Sequence, residues 1–175
     1  MSAVMEAESM RMDGQAIALG GDLSLPWNLQ EWSTSGVLRG WVEAEIGTLA
    51  WDSPELAQFL RQRPRYEPRK LLCLLTYAYA SAVFESEEIQ QRCLTDPDCR
   101  VMAGPGWQPD AGEITRFRRE NRGLLKWALL QVFKRALRAH LGDFMLPAGL
   151  KGRLVAAAAV RLDFARQMDR EHQGS

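Results

Sequence analysis

Apolar residues recur at helical spacing over most of the chain beyond residue 34. Val37, Leu38, Trp41, Val42 and Ile46 fall three and four apart, which predicts a helix with one buried face, capped by Ser35. In DSPELAQFLRQR, Ser53 sits at a cap, Pro54 at the first helical position and Glu55 in the first turn, a strong start signal. YEPRKLLCLLTYAYASAVF opens the same way at Pro68. It is apolar on every side, so it predicts the central, buried helix. Ser86, followed by acids, opens ESEEIQQRCL as a cap, and Asp96 with Pro97 opens TDPDCRVMAG, which stops at Gly104-Pro105-Gly106. Asp110 caps the next helix, whose Ile114 and Phe117 point inward, and Asn121 interrupts or recaps it. Leu125, Leu129, Val132 and Ala136 then share one face, with Lys134, Arg135 and Arg138 opposite, until Gly142 ends the segment. Pro147 starts a last amphipathic helix with Leu154, Val160 and Phe164 among its apolar residues.

No segment reads as a strand and no internal repeat is present. The expected fold is all-α: a compact multi-helix domain of short, capped helices. Three segments follow. Residues 1–34 hold Gly14, Gly20, Gly21 and Pro26 without a sustained period and read as an irregular arm, which Trp27 and Trp32 pin to the body. Residues 35–142 form the helical domain, and residues 143–175 the C-terminal amphipathic helix.

With 175 residues, 46% of them hydrophobic, the chain is long enough for one domain with a substantial core. Lys plus Arg and Asp plus Glu balance at 22 each, but their distribution is uneven. Residues 1–64 carry four basic and nine acidic side chains, whereas residues 116–138 carry eight basic side chains against one acid, Glu120. A neutral chain with so basic a segment offers a local site for a polyanion. The N-terminus lacks the basic and apolar regions of a signal peptide. The apolar run from Leu71 to Phe84 is shorter than the roughly 20 residues that cross a bilayer. Cys73, Cys93 and Cys99 form no CxxC, and His140 and His172 are the only histidines. They predict buried thiols rather than a zinc site or a disulfide framework, as suits a reducing cytoplasm. Neither a membrane, a metal nor a cofactor is implied.

Catalytic motifs are missing: there is no GxSxG, P-loop, GxGxxG or HExxH. Asp96, Asp98, Asp110 and Glu113 lie close in sequence, as two-metal phosphoryl-transfer sites require. Each stands at a helix start, however, where an acid serves the helix dipole, and capping is the expected role. The basic segment carries more. At 100° per residue, Ile114 and Phe117 point one way, while Thr115, Arg116 and Arg119 point the other. Arg118 falls beside the apolar face and is expected to pair with a carboxylate or to lie along the core edge. Arg122 and Lys126 continue the basic face into the next helix. The short helix at 97–103, the Gly-Pro turn and this basic helix make a helix-turn-helix-like unit, whose second helix suits the major groove. The candidate DNA-binding residues are therefore Thr115, Arg116, Arg119, Arg122 and Lys126.

The run from Tyr66 to Phe117 resembles the N-terminal domain of bacterial insertion-sequence DDE transposases of the InsH type. The resemblance rests on Tyr66-x-Pro68-Arg69 with Leu71, Leu72, Tyr77 and Tyr79; on Ser86-x-x-Ile89; on Asp96 to Ala103; and on Pro109-Asp110, Ile114 and Arg116-Phe117-Arg118. More loosely it extends over 35–142. Glu87 and Ala111 depart from it, standing where the family often has Arg and His. The resemblance implies a helical domain that helps recognise the inverted-repeat ends of a transposon. In the family, a catalytic strand bearing the first Asp follows soon after the helix matching 122–141. Here that region, GDFMLPAGLKGRLVAAAAVRLDFARQ, reads as helix. The expectation is a non-catalytic, transposase-derived DNA-binding protein of the bacterial cytoplasm, either a truncated transposase or a regulator at transposon ends. Its implied partners are DNA and either a second copy or a separate catalytic transposase chain. The competing reading is a helical protein–protein interaction module, in which Leu154, Ala156–Ala159 and Phe164 pack on a partner and the arginines are only a solvated face.

Overall fold

A computed structural model of the chain describes residues 17–20, 23–34, 36–51, 53, 54, 56, 67–142 and 148–174. Seven α-helices dominate them: α1 (Val37–Gly47), α2 (Pro68–Ala80), α3 (Ser86–Thr95), α4 (Pro97–Ala103), α5 (Ala111–Glu120), α6 (Arg122–Leu141) and α7 (Ala148–Gln173). The all-α expectation holds, with one correction in the segment read as an irregular arm. There β1 (Ile17–Gly20) and β2 (Leu23–Leu25) pair as a short antiparallel ribbon, followed by a 3-10 helix over Leu29–Trp32. The strands are four and three residues long, too short for alternation to reveal them. Trp27 is buried and packs its ring on Phe84 and Phe164, so it does pin this segment to the body.

Most helix starts follow the local chemistry of the chain. Pro68 opens α2, Asp96 accepts hydrogen bonds from the amides of Asp98 and Cys99, and Asp110 and Glu113 form a reciprocal capping box. Ser53 Oγ accepts from the Leu56 amide at 3.2 Å. Beyond Leu56 the expected helix, together with the expected cap Ser35 and the expected helix start Pro147, lies outside the described residues. At α1 the cap position is Gly36, held at φ 80° without a side-chain cap bond, a conformation that favours glycine. Ser86 does not cap α3 but is its first residue, and its hydroxyl turns to Asp169. Gly104 and Gly106, at φ 76° and 77°, make the turn between α4 and α5.

The core is organised around α2, buried without interruption from Leu71 to Ala80. Helices α1, α4, α5, α6 and α7 all pack on it. The α4–turn–α5 unit is present, and both of its helices lean on α3. On α6, Leu125, Leu129, Val132 and Ala136 are wholly buried as their spacing implied. On α7, Leu154, Ala157, Ala158, Leu162, Phe164 and Ala165 join the same core, whereas Val160 faces outward at 38% exposure. Arg39 bridges α1 to Asp98 of α4 at 2.8 Å, and Arg135 bridges α6 to Glu45 of α1 at 2.7 Å.

One buried arginine joins distant parts of the chain. Arg161 of α7 is fully buried. Its guanidinium donates to the carbonyls of Pro26, Trp27, Tyr79 and Ala157 and lies 4.7 Å from the ring centroids of both Trp27 and Phe133. Desolvation lowers its pKa to about 9, which leaves it charged at neutral pH. Carbonyl dipoles and two aromatic faces thus hold the cation.

Candidate nucleic-acid interface

Helix α5 presents two sides of opposite character. Ile114 and Phe117 are fully buried and hold the helix against the core. Each contributes about 2 kcal/mol from apolar burial. Arg116 and Arg119 are exposed on the other side, as the helical spacing implied. Asn121 closes α5 by donating its side-chain amide to the Phe117 carbonyl, and α6 begins at Arg122. Arg122 and Lys126 are half-buried on the first turns of α6, and Arg122 pairs with Asp163 of α7 at 2.9 Å.

Arg118 and Thr115 behave differently from their neighbours. Arg118 is buried at 5% exposure and ion-pairs with Asp169 of α7, as its place beside the apolar face predicts. Burial opposes its charge, but Tyr79 and Asp169 together outweigh that cost and hold its pKa above the ordinary value. Desolvation pushes the neighbouring Tyr79 hydroxyl up to about 12, against the pull of Arg118. Thr115, expected on the DNA-facing side, is half-buried and donates its hydroxyl to Asp169 Oδ2 at 3.1 Å. This contact with Asp169 of α7 is one that no reading of α5 alone reveals.

Asp169 is therefore a hub. It accepts from the Ser86 amide at 3.0 Å, from Ser86 Oγ at 2.7 Å and from Thr115, and it pairs with Arg118. A carboxylate at the first amide of α3 also sits at the positive end of that helix. The residue ties α3, α5 and α7 together at one point.

Beside this hub, α5 and α7 enclose a cleft of about 290 Å³. Arg118, Arg119, Arg122, Arg166 and Arg170 line it, with Asp169 as the carboxylate in its wall. Arg166 and Arg170 are not among the residues that the sequence singles out. Their spacing of four residues on one helix is visible there, but their approach to α5 comes only from the packing of the last helix.

The acids weighed as catalytic candidates are occupied elsewhere. Asp96 caps α4, Asp110 and Glu113 cap α5, and Asp98 accepts from Arg39 and Tyr77. Asp98 borders an open polar groove of about 720 Å³ between the 3-10 helix and α3–α4. Among the described residues, no group of three or more His, Cys, Asp or Glu is placed to hold a metal ion, and no helix is long and apolar enough to cross a membrane. Cys73, Cys93 and Cys99 are free and buried.

No curated protein and no solved structure matches the chain. Residues 44–120 match the family described as transposase domain (DUF772). That span runs from inside α1 to the last residue of α5 and contains Ser86, Asp110 and the arginines of α5. Over residues 44–120 this chain is similar to the transposase domain family.

Proposed function

We propose that the protein is a non-catalytic, transposase-derived DNA-binding protein that recognises transposon ends. The observation that carries this reading is the two-sided character of α5: an inner side locked into the core, and Arg116 and Arg119 exposed on the outer side. An exposed arginine row on a rigidly seated helix suits phosphate and base-edge contacts. Arg122 and Lys126 extend it onto α6, with Arg122 sharing its charge with Asp163. Thr115 bonds to Asp169 and lines the cleft between α5 and α7.

The non-catalytic part of the reading is supported by the occupations of the carboxylates. DDE chemistry needs acids aimed at one point, whereas Asp96 and Asp98 serve a cap and an ion pair at the start of α4, and Asp110 caps α5. Supplied with a transposon-end duplex and magnesium or manganese, the purified chain is expected to bind without nicking or joining it. Metal-dependent cleavage abolished in Asp110→Ala would assign that residue a catalytic role instead. The partner reading that relied on the last helix loses its motive, because the apolar stripe of α7 lies in this chain's own core.

A further inference from the structure

We propose that Arg166 and Arg170 of α7 close on DNA opposite Arg119 of α5, so that the last helix forms one jaw of a clamp on the phosphate backbone. This rests on the DNA-binding reading and extends it to residues beyond the matched span 44–120.

The geometry points to phosphate. Five arginines from three helices converge on one cleft of about 290 Å³. The Asp169 carboxylate in its wall is engaged by Arg118, Ser86 and Thr115. Asp163, at the rim, is shared between Arg122 at 2.9 Å and Arg166 at 3.7 Å. Among the described residues that line the cleft, Asp169 is the one acid against five guanidinium groups, so the lining carries a positive surplus. Guanidinium forks match phosphate oxygens in pairs. No aromatic ring lines the cleft, and Leu162 is its apolar wall, so it offers a base no stacking surface. It therefore fits the backbone of DNA rather than its bases. Arg119 belongs both to the outer side of α5 and to the cleft, which makes the two basic surfaces continuous. The outer side would read sequence while the clamp adds affinity for any sequence.

The test uses the full chain and fluorescence anisotropy with a labelled duplex of random sequence, titrated across a salt series. Removing one arginine–phosphate pairing flattens the log–log salt dependence by about 0.9 and weakens binding at low salt about tenfold. Arg166→Ala with Arg170→Ala is expected to remove one to two such pairings without lowering the melting temperature, since both side chains are exposed. Arg166→Lys with Arg170→Lys keeps the charges and should retain most of the slope. Should the alanine pair bind with wild-type affinity and slope, while Arg116→Ala with Arg119→Ala diminishes both, the clamp is overturned and DNA binding through α5 stands. Should the wild-type chain bind no duplex even at about 50 mM salt, the DNA-binding reading itself is overturned, and the clamp with it.

Discussion

Asp169 shows how one side chain can carry several elements. Its carboxylate takes two hydrogen bonds from Ser86, one from Thr115 and the charge of Arg118. Removing one partner of a buried ion pair leaves the other charge uncompensated, at a cost of about 3–5 kcal/mol. Asp169→Ala should lower stability by that order in urea denaturation. Asp169→Asn, which keeps the shape and an acceptor, should cost less. Equal, small decreases for both would mean that Arg118 finds other acceptors. The thiols give a second prediction at this scale. Burial raises the Cys73 and Cys93 pKa values from 9.0 to about 11, and raises that of Cys99 as well. A folded-state pKa above the unfolded one means stability that is complete below pH 9 and lost as pH rises toward 11. Each of Cys73 and Cys93 should then contribute about 2 kcal/mol of destabilisation by pH 11. Urea melts between pH 8 and 11 check it, and Cys73→Ala with Cys93→Ala should flatten the decline.

At the level of the element, α5 is readable from its own residues, and α7 only in part. Asp110, Glu113, Ile114 and Phe117 act within one or two turns of each other, so local spacing captures the cap, the buried side and the place of Arg118. Ser86 reads as a cap in the sequence because its true partner lies 83 residues away. Arg166, Asp169 and Arg170 look like ordinary helix polarity until α7 is laid against α5. The short ribbon leaves no periodic trace at all. If about four of Arg116, Arg119, Arg122, Lys126 and the clamp arginines meet phosphates, log affinity should fall against log salt with a slope near −3.6. Arg116→Ala with Arg119→Ala should flatten that slope by about two while leaving the melting temperature unchanged. Arg118→Ala should do the reverse, costing stability of about 3 kcal/mol because Asp169 is left without its buried partner. A double variant that binds with the wild-type slope would leave the α5 arginines as solvated surface.

For the whole molecule, the decisive feature is that the last helix shares one core with the span 44–120 that matches the transposase domain. Its Leu154, Ala158, Leu162 and Ala165 are fully buried, and Arg161 reaches from α7 to carbonyls at Pro26, Trp27 and Tyr79. Those carbonyls belong to the segment before the 3-10 helix and to the end of α2, so one guanidinium links three stretches of chain that are far apart in sequence. Arg161→Ala removes every one of these bonds and opens a cavity between Trp27 and Phe133. Large-to-small core changes alone cost about 2–5 kcal/mol, and stranding buried carbonyls adds about 1–3 kcal/mol for each left unpaired. Since a domain's total stability is about 5–15 kcal/mol, this single change should bring the protein close to unfolding. Arg161→Lys keeps a cation but not the planar fork, so it should rescue only a part. Ending the chain at Gly142 should be worse still, because it removes Asp169 and the whole apolar stripe of α7 along with Arg161. The check is circular dichroism with thermal melting on the three variants. A truncated chain that melts cooperatively near the wild-type temperature would show that residues 143–175 are an appendage, and that the span matching the transposase family needs neither its buried arginine nor its clamp helix to fold.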